Sequence, residues 1–172
     1  MVSLSEAYAI AIGHHRAGRM GEAAGVYRAI LDADPRQADA LHLLGVLAGQ
    51  TGRSEEALSL IAQAIALDPE AADYHDNLGS LRRTAGDAAR AAAQHARALA
   101  LEPARAKAAF NRGLALGDLG RVREALGCFR AALLIDPGYG PAALAAGRLL
   151  GGGAEPHAAG RWLAHALSLA PD

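Results

Sequence analysis

The chain has 172 residues, 52% hydrophobic but only 4% aromatic, with 17 Lys and Arg against 18 Asp and Glu for a formal net charge of −1. Near neutrality excludes the clustered cationic excess that a nucleic-acid or anionic-lipid footprint needs, and the Ala- and Leu-rich apolar fraction favours close-packed helices over strands. One cysteine, Cys128, allows no intrachain disulfide, no uncharged apolar run reaches the ~18 residues of a membrane span, and the N-terminus has no basic n-region of a secretory signal.

Five prolines, Pro35, Pro69, Pro103, Pro137 and Pro171, recur at one constant interval. That interval, about 34 residues, is the length of one helix–turn–helix unit. It divides a single domain, 1–172, into repeats of about 4–37, 38–71, 72–105, 106–139 and 140–172. In the first repeat, helices are predicted over 5–17 and 21–33, parted by Gly18, which can take the left-handed conformation that ends a helix. The second repeat reads as 39–51 and 55–67 around Gly52, the third as 73–85 and 88–101 around Gly86, the fourth as 107–119 and 122–135 around Gly120. The fifth, 141–151 and 157–169, carries Gly151-Gly152-Gly153 and Pro156 across its turn, which shorten its first helix. Asp34, Asp68 and Asp136 precede three of the periodic prolines. A residue before proline is driven out of the helical region, so each second helix stops there.

Small residues keep the same period. Ala11, Gly45, Gly79, Gly113 and Gly147 fall mid-way along the first helices; Ala23, Ala57, Ala91, Ala125 and Ala159, with Ile30, Ala64, Ala98, Ala132 and Ala166, fall on the second. They let helices approach, while Leu31, Ile65, Leu99, Leu133 and Leu167 supply apolar area.

Leu41-x-x-Leu44-Gly45, Leu78-Gly79 and Gly113, each glycine followed at one constant spacing by Ala57, Ala91 and Ala125 in turn, resemble the tetratricopeptide repeat signature across essentially the whole chain. The resemblance implies an all-α fold, a right-handed superhelix (α-solenoid) of five helix–turn–helix repeats. It implies a protein–protein interaction scaffold, not an enzyme, whose first helices line a concave groove for a partner peptide or helix. Candidate groove contacts are Asp73, Asp76, Asn77, Ser80, Arg83, Lys107, Phe110, Asn111 and Leu114. An amide side chain offers both donor and acceptor to an extended peptide; Asn77 and Asn111 equally fit helix–helix hydrogen bonding, and both readings stay open. These two asparagines and the wording Asp73-Tyr74-His75-Asp76-Asn77-Leu78-Gly79 are also similar to the repeat region of bacterial O-linked N-acetylglucosamine transferase-like glycosyltransferases, which implies a detached substrate-recognition arm as an alternative. Clamping of a C-terminal carboxylate is disfavoured, because Tyr8 and Ile12 stand where such a clamp needs polar side chains.

The last repeat stops at Asp172, so its final helix would leave Leu163, Ala166 and Leu167 uncovered. This end is the candidate surface for association into a homo-oligomer, beside the readings of a degenerate cap and of a fragment; Trp162 reads as core or as interface anchor. Chemistry finds little footing. His14 and His15 point to different sides of a helix, and no His-x-x-x-His pair or metal site is expected. His95 takes the slot held by Tyr27, Ile61, Phe129 and Leu163, so it reads as a packing residue, and Cys128 reads as a buried inert thiol. No catalytic residue or cofactor is expected, since convergent carboxylates, a nucleophile elbow and a dinucleotide fingerprint are all missing and Gly113-x-x-x-Gly117 lies inside a helix. Basic residues that are all Arg except Lys107 hint at a bacterial origin, and the composition fits the cytoplasm.

Overall fold

A computed structural model describes residues 3–151 and Arg161, and among the described residues it contains nine α-helices and no strand. In chain order these are α1 (Leu4–Arg16), α2 (Met20–Ala33), α3 (Ala38–Gln50), α4 (Ser54–Leu67), α5 (Ala72–Thr84), α6 (Ala88–Leu101), α7 (Ala106–Asp118), α8 (Val122–Ile135) and α9 (Gly140–Gly151). Odd-numbered helices are the first of each repeat and even-numbered ones the second. First helices begin one residue earlier than the sequence predicts. The predicted helix over 157–169 lies outside the described residues.

Each turn within a repeat is built the same way. Gly18, Gly52, Gly86 and Gly120 take φ of 73°, 80°, 83° and 71°. The residue after each glycine donates its backbone N–H to a carbonyl five residues back, Arg19 to His14, Arg53 to Ala48, Asp87 to Arg82 and Arg121 to Leu116, all at 2.9 Å. The glycine N–H itself reaches three residues back, as Gly18 to His15 at 3.0 Å and Gly120 to Gly117 at 2.9 Å. This paired closure satisfies the last carbonyls of each first helix and requires a left-handed residue at its centre. Second helices end otherwise. Asp34, Asp68 and Asp136 leave the helix in extended conformation before proline, and each carboxylate accepts from the backbone N–H two residues on, at 3.0, 3.1 and 3.0 Å. The carboxylate thus provides an acceptor for the first backbone N–H after the proline, which has none of its own to donate. Glu102 holds the corresponding cap and instead accepts from Arg105 at 2.8 Å.

Two compact units divide within α5, Met1–Leu81 and Arg82–Asp172. In the N-terminal unit, Ala11, Ala23, Tyr27, Ile30, Leu44 and Leu47 form one apolar cluster, and Leu41, Ile61, Ala64, Tyr74 and Leu78 form another. In the C-terminal unit a single cluster gathers Ala91, Ala109, Leu116, Ala125, Phe129, Ala132, Ala142 and Ala146. The periodic alanines Ala23, Ala57, Ala91 and Ala125 are 0% exposed, as the small-residue pattern predicts. Leu31, Ile65 and Leu99 are half-buried, whereas Leu133 is buried.

Glycine is a steric requirement at two first-helix positions. A Cβ on Gly45 would lie 2.7 Å from Ile61 Cγ1 and 3.2 Å from the Ala57 carbonyl oxygen; on Gly113 it would lie 2.5 Å from Phe129 Cε1 and 3.1 Å from the Ala125 carbonyl oxygen. Gly49, which the periodic pattern does not single out, meets Leu81 Cδ2 at 2.5 Å, the end of a flexible side chain that can turn aside, with its next neighbours at 3.7 Å. Gly127 on α8, by contrast, faces open space. We expect Gly113→Ala to destabilise the fold, because overpacking costs about 1–3 kcal/mol against a gain of about 1 kcal/mol in helix propensity. Gly127→Ala should keep that gain, and urea-unfolding midpoints of the two variants, moving in opposite directions from the parent, check the assignment.

Candidate partner-binding surface on the first helices

Successive first helices are joined by polar pairs whose members lie one repeat plus one residue apart in sequence. In the N-terminal unit His15 Nε2 lies 2.8 Å from Gln50 Oε1, the Tyr74 hydroxyl donates to Asp39 Oδ1 at 2.5 Å, and Asn77 Nδ2 donates to His42 Nε2 at 2.8 Å. In the C-terminal unit Arg83 Nε donates to Asp118 Oδ2 at 2.6 Å. The offset of one residue beyond the repeat is set by how neighbouring first helices pack side by side.

The N-terminal unit gives His42, Tyr74 and Asn77 a shared environment. The His42 ring is 7% exposed and sits 4.5 Å from the Tyr74 ring, tilted by 33°. Since Nε2 accepts the Asn77 amide, the ring is neutral with its proton on Nδ1. Burial pushes its pKa below the usual histidine value, outweighing the opposing pull of Asp73 and Asp39. Burial and the bond to Asp39 hold the Tyr74 hydroxyl far above the ordinary tyrosine range. Of the candidate groove residues here, Asp73 is exposed, Asn77 and Ser80 are half-buried, and Asp76 is only 3% exposed. Ser80 turns its hydroxyl onto the Asp76 carbonyl oxygen at 3.1 Å. Asn77 therefore has one amide hydrogen engaged by its neighbour, and its Oδ1 accepts no hydrogen bond from the described residues.

In the C-terminal unit Arg83 is half-buried against Asp118, and Lys107 is exposed. Phe110 is half-buried and packs against Phe129 and Tyr139 with ring centroids at 5.8 and 5.5 Å, so most of its area serves the core. Asn111 and Leu114 are half-buried. Leu114 lines an open cleft of about 330 Å³ with Gly113, Gly117, Asp118, Phe129, Ala145, Arg148 and Leu149. Asn77 and Asn111 fall in different compact units. Trp162, Leu163 and Leu167 lie outside the described residues.

Of the side chains considered for chemistry, His14 accepts from Arg19 and His15 pairs with Gln50 at the surface, while His95 and Cys128 are more enclosed. His95 is 0% exposed, in the slot that apolar residues fill in other repeats. Cys128 is half-buried, and burial pushes its thiol pKa up, away from the reactive thiolate. Among the described residues no group of His, Cys, Asp or Glu could hold a metal ion, and no helix is long and apolar enough to cross a membrane. The sequence reading missed Asp39, His42 and Tyr74 as a connected set. A search for complementary polar residues separated by one repeat plus one residue would have found them.

Comparison with known proteins gives a consistent answer. Tetratricopeptide repeat models match residues 14–81 and 106–139. No curated protein sequence matches. Among solved structures, MamA is 24% identical with a TM-score of 0.85, covering 93% of this chain and 94% of its own. YrrB, described as a tetratricopeptide-repeat protein with an unusual peptide-binding site, is 24% identical with a TM-score of 0.79, covering 97% of this chain and 86% of its own. PilF of Pseudomonas aeruginosa is 21% identical with a TM-score of 0.87, covering 96% of this chain and 76% of its own. These likenesses show an all-α tetratricopeptide fold.

The neutral His42 makes stability depend on pH. Its folded pKa is depressed, so its contribution is complete above the unfolded value near 6.5. It is lost as pH falls from there through the folded pKa, where the unfolded chain takes up the proton first. We expect the urea midpoint to drop between pH 7.5 and pH 5, with a shallower drop in His42→Gln, whose amide can still accept from Asn77. Identical drops would assign the titration to other groups.

Proposed function

The chain belongs to the tetratricopeptide repeat family, and from that premise we propose that it is a non-catalytic scaffold of the bacterial cytoplasm that binds a partner protein or peptide through polar residues of its first helices. In the N-terminal unit the contacts are Asp73 and Asn77, with Ser80 beside them. In the C-terminal unit they are Lys107, Asn111 and Leu114, with Arg83 and the edge of Phe110.

The observation that carries this reading is the fixed amide of Asn77. His42 holds its nitrogen at 2.8 Å, which orients the side chain before any ligand arrives and leaves the carbonyl as a hydrogen-bond acceptor. An acceptor held in place loses little entropy on binding, and a peptide backbone N–H is the natural donor to it. The peptide-binding site named for YrrB supports the same class of ligand. The burial of Asp76, at 3% exposed, limits it to a supporting role behind Asn77. The reading as an arm of a glycosyltransferase rests on sequence wording alone.

Affinity capture with the parent and with the double variant Asn77→Ala, Asn111→Ala tests the proposal. Partners retained by the parent and lost from the variant by tenfold or more would support it. Retention by both would move the contact to another face. Thermal unfolding must accompany the capture, because Asn77→Ala leaves the buried His42 Nε2 without its donor, a loss of about 1–3 kcal/mol.

A further inference from the structure

We propose that the cleft between α7 and α9 receives an extended polypeptide at a large apolar side chain next to an Asp or Glu, the apolar group lying against Phe129 and the carboxylate on Arg148. This rests on the scaffold reading and gives one of its subsites a ligand chemistry.

The cleft exists because side chains are missing from one wall. Gly113 and Gly117, one helical turn apart, share a face of α7, and a Cβ on Gly117 would meet nothing closer than Leu149 Cδ1 at 3.9 Å. The Phe129 ring closes in on Gly113 from α8, and Ala145 and Leu149 of α9 complete an apolar lining.

Charge selects the occupant. Arg148 stands one repeat plus one residue after Gly113, the separation at which His15, Asp39, His42 and Arg83 each find a polar partner on the next first helix. Glycine offers Arg148 nothing at that separation. Arg148 is accordingly exposed and makes no ion pair or hydrogen bond with the described residues. The one acidic lining residue, Asp118, is already engaged by Arg83 at 2.6 and 3.4 Å. Among the described residues the cleft therefore carries one guanidinium without an acidic partner beside an apolar trough, and a carboxylate that presents two oxygens is its geometric complement. The volume of about 330 Å³ accommodates a leucine-sized group with part of its backbone. Because the trough is open along the helices, it suits a passing chain and an acidic side chain within it.

Amide proton–nitrogen spectra of the full chain, titrated with short peptides blocked at both ends, test this directly. The peptide Ac-Gly-Leu-Glu-Gly-amide should give saturable shifts centred on Gly113, Gly117 and Ala145. Peptides with Gln for Glu, or Ala for Leu, should bind at least tenfold more weakly. In Arg148→Gln, a substitution at a side chain that makes no hydrogen bond or ion pair with the described residues, the Glu and Gln peptides should become equivalent. Shifts that centre elsewhere, equal affinity of the Glu and Gln peptides for the parent, or no effect of Arg148→Gln would each overturn the proposal. Such a result leaves the scaffold reading standing if captured partners still depend on Asn77 and Asn111, and the two fail together only if that dependence is also absent.

Discussion

The contact between a first-helix glycine and the side chain facing it from the second helix is the constraint on which the remaining structure depends. At Gly45 the opposing atoms belong to Ile61 and the Ala57 carbonyl, and at Gly113 to Phe129 and the Ala125 carbonyl. With no room for even one methyl group, the two helices of a repeat are fixed at backbone-to-side-chain distance. Two helices so close can be linked only by a tight turn, and the left-handed glycine with its paired backbone hydrogen bonds provides one. Large apolar residues then pack between repeats, where space remains. Surface ion pairs such as Arg53 with Glu56 and Arg121 with Glu124 decorate the starts of second helices, and pairs this exposed add little.

Fixing the helices within a repeat also fixes the register between repeats. Polar partners one repeat plus one residue apart recur four times with unlike chemistry, among them an amide on an imidazole, a phenol on a carboxylate and a guanidinium on a carboxylate. What repeats is the geometry of the position, and each repeat fills it with a different pair. Where the geometry meets Gly113, the pair is incomplete, and the cleft there is lined by a cation that has no partner among the described residues. In the proposed reading, the polar groups that bind and the polar groups that hold the fold occupy the same strip of each first helix, so that a residue such as Asn77 would serve both purposes with different atoms.

Much of the fold was legible because it is enforced locally. Gly18, Gly52, Gly86 and Gly120 must take positive φ, Asp34 and Asp136 must leave the helix before proline, and Ala23 or Ala125 must be small, each for reasons contained in a few neighbouring residues. The candidate surface was less legible, because its residues answer to neighbours a repeat away. The periodic position of Asp76 gave no sign that it is buried, nor that of Phe110 that it packs between Phe129 and Tyr139. Counting in whole repeats aligns equivalent positions, but contacts between first helices run one residue longer, and a comparison of equivalents passes over them. Gly49 escaped notice for a similar reason, since its tight neighbour, Leu81, lies on the next first helix.

The uniform closure of the turns has a consequence for how the chain tolerates changes in length. Every left-handed glycine stands one full repeat from the next, so removing or duplicating any contiguous stretch of that length within the regular repeats returns each following glycine, proline and small residue to an equivalent place. A change one residue shorter or longer would rotate the next first helix by about 100° and bring a branched side chain to where only hydrogen fits. The array thus has a reading frame of its own, coarser than that of the gene and indifferent to where within a repeat the cut is made.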